Sequence, residues 1–479
     1  MNLGMIVYVL GWILICEGAL LLLPAIVSVI YRETAVWALL GTAALCAVFG
    51  LLMVRTKPKK KVFYLRDGFL VTALSWLLIS IMGALPFLFS GSITDPIEAV
   101  FETVSGFTTT GASILSDVEA LPKGILFWRS FTHWIGGMGV LVFLLTLLPL
   151  TGGSHINLMK AESPGPQVER LVPSVQSTAK ILYGIYFVLT VVEIIILLLG
   201  DMPWFDALTL TFGSAGTGGF GIKNDSLGSY TAFQQNVVTI SMILFGINFN
   251  FYFLLLMRRA RKAFAMEEVR AYLGIILTSI LLISLNIRNL YGTFGESLRH
   301  AAFQVGSIIT TTGYSTTDFD LWPSVSKTVL VVLMFVGACA GSTGGGIKVS
   351  RIMVLIRTIR QEMRHVLHPQ SVNVTTMDGK TVPRETLRSI NAFLVSYFVI
   401  FALSIFLISF DNFDMTTNFT AIAATLNNIG PGLAAVGPTQ NFSIYSPLSQ
   451  LVLIFDMLAG RLELFPMMLL FHKETWRGF

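Results

Sequence analysis

The chain has few charged residues, few cysteines and none of the common nucleotide- or metal-binding motifs. Charged residues make up 12% of its 479 residues, whereas soluble domains carry roughly a quarter. This deficit excludes a soluble enzyme and a disordered protein. The three cysteines, Cys16, Cys46 and Cys339, lie in apolar runs, so they predict neither a disulfide framework nor a metal site. A phosphate-binding loop, a dinucleotide-binding unit and an H-E-x-x-H motif are absent from the sequence. We therefore expect no enzymatic activity, no cofactor and no nucleic-acid partner.

Long apolar runs dominate the chain instead. Hydrophobic residues make up 54% of it, and the mean hydropathy is +0.74. A helix that spans a bilayer needs about 20 mostly apolar residues. Runs of that kind lie at residues 5–30, 36–54, 68–90, 124–149, 181–200, 236–257, 272–291, 326–357, 390–410 and 447–471. The sequence therefore predicts an all-α polytopic membrane protein surrounded by lipid.

Lysine and arginine are concentrated in alternate loops between these runs. Most of the 32 basic residues lie at 55–66, 160–180, 258–270, 351–388 and near the C-terminus. Cytoplasmic loops of membrane proteins carry such an excess. We therefore predict that these loops, and with them both termini, are cytoplasmic.

Four shorter stretches, at 97–110, 205–217, 297–311 and 416–428, are too short or too polar to cross a bilayer, and each ends in a Gly/Thr or Gly/Pro cluster. Irregular backbone at membrane depth is tolerated only where protein buries it or where it lines water, so these stretches are predicted to be re-entrant half-helices. They align without gaps on Gly111, Gly219, Gly313 and Gly432, and each lies between two spans. Glycine-rich helix packing is the alternative interpretation.

The pattern predicts four parallel units of span, re-entrant pore helix and span around a central pore, preceded by two extra N-terminal transmembrane helices. The predicted divisions are 1–56 for the N-terminal pair, then pore repeats at 66–150, 180–262, 271–364 and 389–474. Glycine adopts positive φ at little cost, so four glycine loops on one axis can turn a ring of carbonyl oxygens toward it. Such a ring replaces the hydration shell of a monovalent cation, and the negative C-terminal ends of the half-helices favour the cation as well.

Several motifs resemble those of a known family. The segments 107–113, 215–220, 309–315 and 428–432 resemble the four filter segments of the Trk/Ktr/HKT superfamily of potassium transporters, and 134–139, 341–348 and 460–463 resemble its other motifs. The resemblance covers essentially the whole chain. The two spans before Lys57 look like the extra pair of the TrkH branch.

This resemblance implies a potassium-selective filter. Its ion-binding residues would be Thr109, Thr110, Gly111, Thr217, Gly218, Gly219, Thr311, Thr312, Gly313, Asn428, Ile429, Gly430, Pro431 and Gly432. The family's central filter glycines carry over to the four anchor glycines named above. In plant relatives a serine at the first of these positions accompanies sodium transport, so glycine at all four favours potassium.

A second glycine cluster lies inside the 326–357 run, and each glycine in a helix interior costs about 1 kcal/mol relative to alanine. We therefore predict a break in this span, with a kinked packing helix as the alternative. The resemblance implies that the segment is a gate below the filter, formed by Gly341, Ser342, Thr343, Gly344, Gly345, Gly346 and Lys348 together with Arg461 of the last span. Arg461 would project into the pore and repel cations. The alternative role for Arg461 is an ion pair with Glu463, Asp456 or Glu193.

The expected function is that of the membrane subunit of a potassium uptake channel or transporter, which moves the ion down its electrochemical gradient. The resemblance further implies a bacterial cytoplasmic membrane, a homodimer, and gating by a cytoplasmic ring of nucleotide-binding regulatory subunits that dock on 258–270 and 351–388. A symporter that couples potassium to sodium or protons is the alternative.

Overall fold

The computed structural model describes residues 2–56, 65–139, 175–370 and 374–476, and the fold is mostly helical with several long apolar helices. The N-terminal half comprises α1 (Leu3–Leu20), α2 (Leu22–Ile30), α3 (Ala35–Val54), α4 (Leu65–Phe89), α5 (Pro96–Phe107), α6 (Lys123–Gly137), α7 (Val175–Leu199), α8 (Trp204–Gly216), α9 (Ala232–Phe245), α10 (Phe249–Leu256) and α11 (Ala260–Ala265). The C-terminal half comprises α12 (Glu267–Asn286), α13 (Phe294–Ile309), α14 (Ser324–Val336), α15 (Val349–Leu367), β1 (Thr376–Met377), β2 (Lys380–Thr381), α16 (Arg384–Ile408), α17 (Met415–Leu426), α18 (Pro447–Arg461) and α19 (Phe465–Phe471).

The predicted polytopic membrane fold is confirmed. Among the described residues, six helices are long and apolar enough to cross a membrane, or seven if the bent pair α9 and α10 counts as one span. The four short helices predicted from the sequence are α5, α8, α13 and α17, and each lies between two apolar helices. The last part of the predicted span 124–149 and of the division 66–150 lies outside the described residues, as do the basic residues at 57–61, 160 and 170.

Two predicted spans are not continuous helices. The run 236–257 bends by 89° between α9 and α10, where Gly246 ends α9 and the Asn248 side chain accepts a hydrogen bond from the Asn250 amide to begin α10. The run 447–471 breaks between α18 and α19, where Glu463 and Leu464 have φ of 55° and 70°. Pro466 in the first turn of α19 explains this second break, because proline has no amide proton and clashes with the preceding helical turn.

The structure also contains an antiparallel hairpin, β1–β2, in a chain predicted to be all-α. Thr376 pairs with Thr381 and Met377 with Lys380. The turn residues Asp378 and Gly379 both have positive φ, and Asp-Gly is a strong hairpin signal for this reason. The Asp378 carboxylate accepts the Glu267 amide at 2.8 Å, so the hairpin caps the N-terminus of α12.

The N-terminal pair packs tightly through glycine. A Cβ on Gly50 would lie 2.7 Å from the Gly11 carbonyl oxygen, and a Cβ on Gly11 would lie 2.8 Å from the Gly50 carbonyl oxygen. Small residues at such crossings let two membrane helices approach closely. The pair α1–α3 also packs against α4, so it is continuous with the rest of the helical core.

We therefore expect Gly50→Ala to destabilise the protein by about 1–3 kcal/mol, the usual cost of overpacking. The matched control is Gly41→Ala on the same helix, where an added Cβ meets nothing within 4 Å. Thermal unfolding in detergent measures both variants. Equal melting temperatures for the two variants would contradict a tight α1–α3 contact.

Candidate functional site

The four short helices α5, α8, α13 and α17 end in the same turn. In each, an amide just past the helix donates to a carbonyl five residues earlier: Thr110 to Ser105 at 2.9 Å, and Gly218 to Gly213, Thr312 to Ser307 and Ile429 to Ala424 at 2.8 Å. This hydrogen bond, with a left-handed residue before it, defines the Schellman motif. After each of the four helices the backbone therefore leaves in the same direction relative to the helix axis.

The left-handed residue is not glycine in any of the four turns. Thr109, Thr217, Thr311 and Asn428 have φ of 55°, 55°, 59° and 56°. A β-branched residue in this region is a genuine outlier, and such strain costs about 1–3 kcal/mol per residue. Backbone strain of this kind clusters at functional sites, and here it recurs three times with the same residue type.

A glycine with positive φ lies two residues after each left-handed residue. Gly111, Gly219, Gly313 and Gly430 have φ of 79°, 81°, 89° and 100°. The three-residue segments 109–111, 217–219, 311–313 and 428–430 are called the ring segments below. In each ring segment the first and the last residue have positive φ. Only the last residue, a glycine, adopts this conformation at little cost.

The ring segments contact one another in cyclic order. An added Cβ on Gly111 would lie 2.0 Å from the Gly218 carbonyl oxygen, and on Gly219 it would lie 1.9 Å from that of Thr312. On Gly313 it would lie 2.0 Å from the carbonyl oxygen of Ile429, and on Gly430 it would lie 2.8 Å from that of Thr110. Each glycine thus packs on the carbonyl of the residue before the next glycine, and the fourth contact closes the ring on the first segment.

The glycine that closes this cycle of contacts is Gly430, whereas the ungapped alignment predicts Gly432 as the fourth central glycine. Gly432 lacks positive φ, and a Cβ on it would lie against Thr420 and Val436. The ungapped alignment took the last glycine of the segment as the anchor. The helix end fixes the register instead, because Asn428 occupies the left-handed position and Gly430 follows it by two residues.

The ring is not chemically uniform. Thr110 and Thr312 each share a hydroxyl hydrogen bond with the threonine two residues earlier, at 2.8 and 2.7 Å. In the fourth segment, the side-chain Nδ2 of Asn428 donates to the Thr110 hydroxyl and to the Met457 carbonyl, both at 2.9 Å. Asn428 therefore joins the fourth segment to the first where a threonine hydroxyl is missing.

One side of the ring opens into a cavity of about 170 Å³. Its floor includes all four ring glycines and Pro431. Its walls are mostly polar, with residues such as Ser113, Asn224, Ser315 and Asn441. Oxygen atoms of such residues can replace water ligands of a cation.

The predicted break in the run 326–357 is present on the other side of the ring. Helix α14 ends at Val336 and α15 begins at Val349, and Gly337, Gly341 and Gly346 between them have positive φ. The Gly345 amide donates to the Thr311 hydroxyl at 2.6 Å. A Cβ on Gly344 or Gly345 would come within 2.8 Å of the carbonyl oxygen of Thr310 or Asn427. The loop 337–348 therefore lies directly against the ends of α13 and α17.

Glu268 in the first turn of α12 anchors this loop, and the sequence analysis did not single it out. Its Oε1 accepts the Ala340 amide at 2.7 Å and the Ser350 amide at 3.1 Å, so one carboxylate holds both ends of the loop. Within the loop, the Lys348 ammonium donates to the Gly344 carbonyl. Glu268 is 3% exposed; an acidic residue at the start of an otherwise apolar helix was the available signal.

Arg461 joins the loop to the C-terminal end of α6 through backbone carbonyls. Its guanidinium donates to Thr343 at 2.8 Å, to Gly137 at 2.7 Å and to Gly136. The carboxylates considered as ion-pair partners have other contacts: Glu463 pairs with Arg351, Asp456 accepts from Ser404 and Glu193 accepts from Ser214.

The comparisons with known proteins give a consistent result. Residues 37–477 match the TrkH family model, described as cation transport protein. The Trk system potassium uptake protein TrkH of Salmonella typhimurium is 35% identical over the full length of both chains, and TrkG of Escherichia coli K12 is 30% identical over 99% of this chain and 98% of its own. The crystal structure of the potassium transporter TrkH from Vibrio parahaemolyticus superposes over 100% of both chains with a TM-score of 0.90 and 30% identity.

The register of the fourth ring segment is testable. We expect Gly430→Ser to weaken potassium binding relative to sodium, because its Cβ would press on the Thr110 carbonyl and Gly111. Gly432→Ser should lower the melting temperature without changing the preference between the two ions. Thermal stabilisation of the detergent-purified protein by each ion reports binding directly. A changed ion preference in the Gly432 variant alone would restore Gly432 as the central glycine.

Proposed function

The chain belongs to the TrkH family of cation transport proteins, and on that premise we propose that it is the membrane subunit of a potassium uptake system. In this proposal potassium passes through the ring formed by the four ring segments and moves down its electrochemical gradient. The relatives named above as potassium uptake proteins support the choice of ion, and the apolar helices support a multi-pass position in the inner membrane of a bacterial cell.

The closed cycle of glycine-to-carbonyl contacts carries this proposal. A cation enters such a site only if backbone oxygens replace its hydration shell. The carbonyls of Thr110, Gly218, Thr312 and Ile429 occupy equivalent positions in the cycle, so they are the first candidates for ligands. Thr109, Thr217, Thr311 and Asn428 supply the preceding positions, and Pro431 and Gly432 follow the fourth segment outward.

The half-helices add a second interaction that favours a cation, the electrostatic attraction of their C-terminal ends. The C-termini of α5, α8, α13 and α17 all lie immediately before the ring segments. A helix C-terminus carries roughly −0.5 elementary charge. Four such ends around one site favour a cation without placing a formal negative charge beside it, so the ion is held weakly enough to leave.

The loop 337–348 and Arg461 form the proposed gate. The loop contacts the ring end through Gly345 and Thr311, and it consists largely of small residues that can move aside. Arg461 holds it at Thr343 and places a positive charge below the ring. A cation leaving the ring therefore meets both a steric and an electrostatic barrier until the loop is displaced.

Helix α15 provides a lever for that displacement, because it begins at Val349 directly after the loop. Arg360 and Arg364 on this helix are exposed and offer a basic surface to a cytoplasmic regulatory subunit. A regulatory ring that moves α15 would therefore act on the gate.

Ile359, Met363 and Val366 of α15 are also exposed and lie on one helical face. That apolar face supports association with a second copy of the chain.

The proposed topology places both termini in the cytoplasm. Each of the divisions 66–150, 180–262, 271–364 and 389–474 then begins and ends on the cytoplasmic side, and the N-terminal pair 1–56 precedes them. The cycle of contacts among the ring segments supports four parallel pore repeats, because each ring glycine meets the equivalent carbonyl of the next segment.

Rubidium tracer uptake into proteoliposomes that contain the chain alone, under an inside-negative voltage, tests the function. We expect potassium to block the uptake and sodium to leave it nearly unchanged. Gly111→Ser should raise sodium competition, because a side chain there presses on the Gly218 carbonyl. Wild-type uptake blocked equally by both ions would refute the proposed selectivity. Dependence of uptake on a sodium or proton gradient would favour a symporter.

Neutralising Arg461 tests the gate. Arg461→Gln removes the charge below the ring and loosens the loop at Thr343, so we expect the initial rate of rubidium uptake to rise severalfold. Arg258→Gln, at an exposed position in a proposed cytoplasmic loop, is the matched control and should leave the rate unchanged. An unaltered rate in the Arg461 variant would assign the residue to packing alone.

A further inference from the structure

A buried ion pair lies directly behind the first two ring segments. Nε of Arg129 on α6 donates to Oε1 of Glu102 on α5 at 2.6 Å. The residues are 3% and 1% exposed. Removing two charges from water is costly, and an apolar pair of similar volume is often as stable. The stability of the helix contact therefore does not explain why two charges occupy this place.

The pair holds the chain that leaves the first ring segment. The Glu102 carboxylate accepts the Ile114 amide at 3.0 Å and the Ser113 hydroxyl at 3.0 and 3.1 Å. Nη2 of Arg129 donates to the same hydroxyl at 3.1 Å. Ser113 lies two residues after Gly111, so the contacts fix the backbone immediately beyond the ring.

Arg129 holds the second segment at the matching position. Its Nη1 donates to the carbonyl of Gly221 at 2.8 Å, and Gly221 lies two residues after Gly219. The guanidinium also lies 3.6 Å from the centre of the Phe220 ring. One rigid, planar guanidinium therefore spans from the first segment to the second, which the flexible point charge of a lysine does not reproduce.

His133 reinforces the same contact one helical turn later. Its Nε2 accepts the Phe220 amide at 3.2 Å, and Nδ1 lies 2.7 Å from the Gly106 carbonyl. The Phe220 amide can only donate, so Nδ1 carries the proton and donates to Gly106. Phe220 is thus held between Arg129 and His133, which lie on one face of α6 because residues four apart share a helical face.

The other three half-helices lack the acidic residue of this arrangement. The position nine residues before the ring glycine is Glu102 in the first, and Leu210, Gln304 and Ala421 in the others. The charged support is therefore specific to the boundary between the first and second segments.

We propose that Arg129 and Glu102 are positioning residues that set the spacing of the first two ring segments and thereby the preference for potassium over sodium. The inference rests on the proposed function. Selectivity depends on the number and placement of the carbonyl ligands, and the pair fixes the Ile114 amide and the Gly221 carbonyl, just beyond two adjacent ring segments, at once. Apolar side chains of the same volume fill the space without making either contact.

The test compares Arg129→Lys, Glu102→Gln and the double variant Glu102→Gln/Arg129→Gln with wild type in the full chain. Two measurements are made: competition of rubidium uptake by sodium and potassium, and the shift in melting temperature that each ion produces in detergent, which does not require an open gate. We expect Arg129→Lys and Glu102→Gln to raise the relative effectiveness of sodium about tenfold, the worth of one charge-assisted hydrogen bond.

The double variant separates positioning from folding. It leaves no unpaired buried charge, so its melting temperature should recover toward wild type while its ion preference stays altered. Arg299→Lys, at a half-buried pair with Glu296, is the control and should keep wild-type selectivity. Wild-type ion preference in Arg129→Lys or in a stable double variant overturns the inference. A wild-type chain that binds both ions equally refutes the proposed function instead.

Discussion

The approach of each ring glycine to a neighbouring carbonyl is the contact on which the rest of the site depends. At Gly111, Gly219 and Gly313 a Cβ would lie within about 2 Å of that oxygen, so a side chain there would displace the neighbouring carbonyl. The observed contacts between the four segments therefore require backbone without side chains at the ring glycines. The left-handed residue before each ring glycine ends the half-helix abruptly, so that the chain turns along the ring at once.

The strain requires support from the surrounding structure. On one side, α6 grips the first two segments through Arg129 and His133. On the other side, the loop 337–348 contacts the ends of α13 and α17, and Glu268 holds both ends of that loop. The supports differ from one segment to the next, so the ring has approximate fourfold geometry within an asymmetric frame.

Much of this could be read from the sequence. The long apolar helices, the four short helices and the break in the run 326–357 follow from hydropathy and from glycine, which are local signals. The alignment of the fourth segment on Gly432 differs from the structure because Ile429-Gly430-Pro431-Gly432 contains two glycines. Only the position of the helix end selects between them. The breaks after α9 and α18 depend on single residues such as Pro466 within otherwise apolar runs. The contacts of Arg461 could not be predicted from the sequence. They are made to backbone carbonyls 324 and 325 residues away, and a backbone carbonyl is present in every residue.

A ring supplied by one chain has a consequence for inheritance. In a tetramer of identical subunits, one mutation changes all four corners together, and a defective subunit spoils every mixed assembly. Here Asn428 stands against three threonines, so a substitution in one segment leaves the other three corners unchanged. When two copies of such a chain associate, a damaged copy leaves its partner's ring intact. A substitution that damages one ring therefore leaves conduction through the ring of another copy unaffected.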